Sequence, residues 1–92
     1  MSVMVGNVAT FADARPDKAH ALKPLEEAAE VFAAWQEWHE TGRLHALERL
    51  AAECADVVQA TCNLLAALDI EDIEPDMAQC RKRNEMRGRR CV

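Results

Sequence analysis

The chain has 92 residues, enough for one domain and one modest core. Half of its residues are apolar, but it has only two Trp, two Phe and no Tyr, so Ala, Leu and Val dominate, a composition suited to close-packed helices rather than a sheet. The net charge of −5 is unevenly spread: residues 1–80 hold 15 of the 16 acids and 5 of the 11 bases, leaving 1 acid and 6 bases to residues 81–92. An acidic body argues against bulk nucleic-acid binding, while the basic tail attracts anions. No run of 18 uncharged apolar residues suggests a membrane span, and MSVMVGNVATF lacks the basic start and sustained apolar middle of a secretory signal. The expectation is a cytoplasmic protein. Cys54, Cys62, Cys80 and Cys91 form no CxxC pair and no zinc array, so they read as free thiols in a reducing compartment, with Cys54 and Cys62 buried.

Residues 1–16 form an arm whose short, irregular apolar pattern leaves it unassigned, and residues 17–92 form the helical domain with its basic tail. Asp17 can cap a helix start, and Pro24 either sits in a first turn or kinks a helix that began earlier. From Leu25, the positions Ala28, Ala29, Phe32, Trp35 and His39 follow helical spacing until Thr41-Gly42 ends the run. Trp35 on this stripe reads as core, and Trp38 as interface or surface. A second helix, from about Arg43 to Leu68, is apolar nearly all round in its second half, which implies burial on several sides. Pro75 opens a third helix that reaches about Arg87, where Gly88 supplies a stop. The expected fold is an all-α antiparallel helical bundle whose core, too wide for one chain to cover, is completed as a homodimer or homotetramer.

Between Arg49 and Asp69 only Glu53 and Asp56 are charged. Three apart on one helical face, their side chains root roughly 5–6 Å from each other. Two like charges in apolar surroundings repel and lose hydration, so something cationic must offset them, either a metal ion or an arginine in a buried salt bridge. In the first helix, EEAAE places Glu27 and Glu30 three apart with Glu26 beside them. Antiparallel pairing can bring these carboxylates to the Glu53–Asp56 face, and four oxygen donors suit a hard cation, Mg²⁺ or its substitute Mn²⁺. The solvated alternative for ExxE is an ordinary acidic helix face, and for the basic tail a complement to a helix C-terminus.

KPLEEAAE followed by ECAD resembles the EExxE…ExxD motif of the MazG-like, all-α nucleoside triphosphate pyrophosphohydrolases. The resemblance spans roughly Lys18 to Gly88. It implies that Glu27, Glu30, Glu53 and Asp56 bind magnesium and that Glu26 orients or deprotonates the attacking water. It further implies that Asn63, seven residues after Asp56, approaches the nucleotide. RKRNEMR is similar to the KxxNxxK pattern with which relatives clamp the triphosphate, which assigns that role to Arg81, Asn84 and Arg87. Arg stands in place of Lys at both ends, keeping the charge and adding forked donors. The activity implied is Mg²⁺-dependent conversion of a nucleoside triphosphate to the monophosphate and pyrophosphate, a nucleotide-pool housekeeping hydrolase. The alternative is a non-catalytic helical dimer that binds a nucleotide or a partner. No ExxH pair of the kind a di-iron bundle needs is present.

Overall fold

The computed structural model describes residues 1–92 and contains three helices and no strands: α1 (Lys18–Thr41), α2 (Leu44–Ala67) and α3 (Glu74–Met86). The ends follow local chemistry. Asp17 caps α1 by accepting from the His20 backbone N–H at 2.9 Å, and its side chain also meets His20 Nδ1 at 2.6 Å. These bonds hold the Asp17 carboxyl below its ordinary value of 3.8, the bond from the His20 backbone contributing most. Pro24 therefore lies inside α1, and the helix continues through it. At the other end Gly42 adopts φ 63°, a left-handed conformation that favours glycine, and returns its N–H to the Trp38 carbonyl at 2.7 Å. The Thr41 hydroxyl donates to the Glu37 carbonyl and accepts from Arg43 N–H, so the turn is closed by its own residues.

Helix α2 starts two residues later and runs back along α1. The two helices meet through small side chains: Ala34 and Ala46 are fully buried and Ala60 nearly so. On α2 the spacing of seven from Ala46 to Glu53 to Ala60 places Glu53 in line with the buried alanines, and on α1 Glu27 lies seven before Ala34. The seam of the hairpin thus carries acids between alanines. Helix α2 ends where Asp69 turns left-handed at φ 58° and Ile70 N–H reaches the Leu65 carbonyl at 2.9 Å. Helix α3 has Glu74 and Asp76 in its first turn, where acids favour the helix dipole, and Pro75 beside them. It packs on neither α1 nor α2. No helix is long and apolar enough to cross a membrane.

Residues 1–11 lie outside any helix and are fastened to α2 by two bonds. Asn63 Oδ1 accepts from Phe11 N–H at 3.0 Å, and Gln59 Nε2 donates to the Ala9 carbonyl at 3.0 Å. The arm, the second half of α2 and the start of α3 enclose an open, largely apolar space of about 1060 Å³.

Only four residues are buried, Ala34, Ala46, Ala60 and Asn63. The chain exposes 7570 Å², against about 5,400 Å² expected for a compact monomer of its mass. Two expectations about individual residues change accordingly. Trp35, read as core, is 40% exposed and stacks between Phe32 and His39, with ring centroids 6.0 and 4.8 Å away. Of the two cysteines read as buried, Cys54 is exposed and Cys62 only half-buried, because α2 packs on α1 alone; all four cysteines are free. The apolar stripes are present, but one copy of the chain does not cover them.

Candidate metal centre

The hairpin brings Glu27 of α1 together with Glu53 and Asp56 of α2: one oxygen from each lies within 4.8 Å of the others. This follows from the seam. Glu27 and Glu53 share the register of the buried alanines, so their stems are held between the helices with only 19% of each side chain exposed, while Asp56, one turn further on, opens to solvent. No backbone N–H donates to any of the three carboxylates. Their lone pairs are left to cations.

Two side chains supply positive charge. Lys23 Nζ sits 3.5 Å from both Glu26 Oε2 and Glu27 Oε1. Bonding to Glu26 first and to Glu27 second raises its ammonium above the ordinary 10.5. Arg49 Nε lies 3.8 Å from Glu53 Oε1, while its Nη1 crosses to α1 and meets Glu37 Oε2 at 2.6 Å. An arginine therefore does approach Glu53, as the salt-bridge alternative requires, but outside hydrogen-bond range. Asp56 forms no ion pair.

The donor set fits a hard divalent cation. Oxygens octahedrally bound to one Mg²⁺ at about 2.1 Å lie about 3.0 Å apart when adjacent and about 4.2 Å when opposite, so the three side chains would have to draw in from 4.8 Å to close on an ion. Asp56 leaves the group open to solvent on one side.

The remaining residues singled out from the sequence are dispersed. Glu30 is exposed on the flank of α1, outside the group of three, and makes no ion pair. Glu26 is exposed beside the group and faces Lys23. Asn63 is 7% exposed, and its oxygen accepts from both Phe11 N–H and Gln59 Nε2 at 3.0 Å. Because a backbone N–H can only donate, this fixes the amide orientation and turns Nδ2 away from Phe11 N. The residue borders a small cavity of about 200 Å³ lined also by Phe11, Ala19, His20 and Lys23. Arg81, Asn84 and Arg87 lie on α3 or at its end, apart from the hairpin: Arg81 pairs with Glu85 at 3.0 Å, Asn84 Nδ2 faces Cys80 Sγ at 3.7 Å, and Arg87 caps the helix. Lys23 and Arg49, the cations beside the carboxylates, did not stand out in the sequence. Their signal was positional: Lys23 precedes Glu27 by four residues and Arg49 precedes Glu53 by four, the spacing at which helical ion pairs form.

Comparison of the chain with family models, with curated proteins and with solved structures finds no match.

Proposed function

We propose that the protein is a Mg²⁺-dependent nucleoside triphosphate pyrophosphohydrolase of the MazG-like type, acting as a homo-oligomer. The observation that carries this reading is the convergence of Glu27, Glu53 and Asp56 from two helices onto one partly open volume. These three residues would hold the cation, with Glu30 on the adjacent flank of α1 as the fourth acid of the set. Bound there, Mg²⁺ offers Lewis acidity to phosphate oxygens and a water of lowered pKa. Glu26, beside the group, accepts the proton of the attacking water. The Asn63 amide donates to the nucleotide from the wall of the small cavity.

Arg81, Asn84 and Arg87 clamp the phosphate chain, and in this reading they do so across an interface. The chain exposes roughly 2,200 Å² more than a compact monomer of its mass, well above the about 800 Å² per partner of a standard interface. Leu25, Phe32 and Trp35 on α1 and Leu44 and Leu47 on α2 are all exposed. A second hairpin laid on these stripes completes a four-helix core, and α3, which has no place on its own hairpin, becomes available to a neighbouring carboxylate group. The separation of α3 from the carboxylates in the single chain, with Arg49 beside Glu53 and Glu30 outside the group, favours a non-catalytic binding module instead.

Pyrophosphate release, assayed across the canonical and several damaged nucleoside triphosphates with and without Mg²⁺, tests the proposal. Release with at least one nucleotide, dependent on Mg²⁺, is expected. No release with any of them removes the enzymatic reading and leaves the binding module.

A further inference from the structure

Arg49 stands between two acids and is bound to only one. Its 2.6 Å contact with Glu37 is a charge-assisted hydrogen bond between helices, whereas its 3.8 Å approach to Glu53 is a through-space attraction. Glu37 belongs to α1 and takes no part in the carboxylate group; Glu53 belongs to that group. His45 Nε2 lies 3.9 Å from the other oxygen of Glu37, so Glu37 faces two nitrogenous groups while Glu53 faces one.

We propose that Glu37 holds the Arg49 guanidinium back from Glu53, making Arg49 a positioning residue that sets how strongly the carboxylate group attracts a divalent cation. The inference rests on reading that group as a metal centre. Its physical basis is competition. Arg49 and Glu53 are four apart on α2, the spacing of a helical ion pair, and a guanidinium with five donors will engage whichever carboxylate lets it approach. While Glu37 holds it, Glu53 keeps its lone pairs free for a metal. Released from Glu37, Arg49 has Glu53 as its nearest remaining anion, where it neutralises a ligand and opposes the incoming cation.

The two ends of one ion pair therefore have opposite effects. Glu37→Gln frees Arg49 to close on Glu53 and weakens cation binding. Arg49→Met keeps an unbranched apolar side chain on the seam, removes the competing charge and strengthens it. Removing one negative and one positive charge near the site would by itself shift affinity in these two directions, and the mark of positioning is that Glu37→Gln has no further effect once Arg49 is gone.

The test is titration of the nucleotide-free, full-length protein with Mn²⁺, with the free ion followed by its paramagnetic resonance and displaced by Mg²⁺. The expected result is a Kd raised about threefold to tenfold in Glu37→Gln and lowered by a similar factor in Arg49→Met, as for one partly screened charge. The double variant should match Arg49→Met, because Glu37 acts only through Arg49. Circular dichroism on each sample establishes that the helices are intact, and the double variant carries the test if Glu37→Gln alone folds poorly. Wild type that binds no Mn²⁺ overturns the metal centre and the inference with it. Wild type that binds, with both variants unchanged or shifted the same way, or with Glu37→Gln still weakening binding in the Arg49→Met background, overturns the inference alone.

Discussion

Helices α1 and α2 pack against each other through Ala34, Ala46 and Ala60 and are cross-tied by Arg49 and Glu37, whereas α3 rests on neither of them. The hairpin has a side-chain cap at one end, a self-closed turn in the middle and a left-handed stop at the other end. Helix α3 also has well-formed ends, but no buried residue. The contrast separates two requirements that coincide in larger domains. Good local signals start and stop a helix, but its place in the fold depends on apolar surface buried against something else. For the hairpin that something is within the chain. The arm is tied to α2 by two hydrogen bonds, whereas α3 and the outer faces of α1 and α2 have no such partner within the chain.

The most severe way to break the contrast is to spoil the outer face of the hairpin. Leu25→Asp combined with Phe32→Asp should abolish assembly, and sedimentation should show monomers in which α3 amides exchange with solvent far faster than those of α1 and α2. A wild-type protein that is already a stable folded monomer at micromolar concentration contradicts the premise. Next in size is a change on the seam itself. Ala46 is fully buried, and Ala46→Leu should destabilise by about 1–3 kcal/mol in denaturant melts, because the added carbons force the helices apart.

Smaller still is the effect of Asp56→Asn on stability. Three carboxylates within 4.8 Å repel one another without metal, so in EDTA the variant should melt at or above the wild-type temperature, and in saturating Mg²⁺ below it. A clear loss of stability in EDTA would mean that Asp56 is held by a favourable contact rather than repelled by its neighbours, and contradicts the metal centre. The smallest effect belongs to the start of α1. The Asp17 carboxyl is lowered in the folded state, so its stabilisation is full above the unfolded value of 3.8 and is lost as the pH falls through the folded one. Far-UV dichroism between about pH 4 and pH 2 should show a slight loss of helix in wild type that is absent in Asp17→Ala, whose helix is already frayed at neutral pH.

Sequence reasoning reached the parts whose causes are local. Thr41-Gly42, Pro75 and Gly88 marked helix ends to within a residue or two, since each acts on its immediate neighbours, whereas Asp17 and Pro24 left the start of α1 open between two places. The meeting of Glu27, Glu53 and Asp56 was also legible, because a short turn forces antiparallel pairing and helical spacing then chooses the facing residues. Glu30 fell outside the group because one further step of three rotates it to the flank of α1. The arm was illegible for a different reason. Its anchor is a bond from the Phe11 backbone to Asn63, and any residue but proline offers that N–H. Nor was the place of Arg81, Asn84 and Arg87 readable, because α3 has no apolar stripe to say what it lies against.

A seam lined by alanines has one more consequence, for motion rather than stability. Each alanine presents a single methyl group, which fixes how close the two backbones come but offers little to catch if one helix slides along the other. In a leucine seam, interlocked side chains act as teeth. Here the axial position is set instead by the Gly42 turn at one end and by the Glu37–Arg49 bond partway along, and beyond that bond lie Glu27 and Glu53. The carboxylates therefore sit on the closely spaced seam beyond the Glu37–Arg49 bond. There the distance across the seam from one acid to the other depends on where one helix stands along the other, so the register of the hairpin and the spacing of Glu27 and Glu53 are one variable.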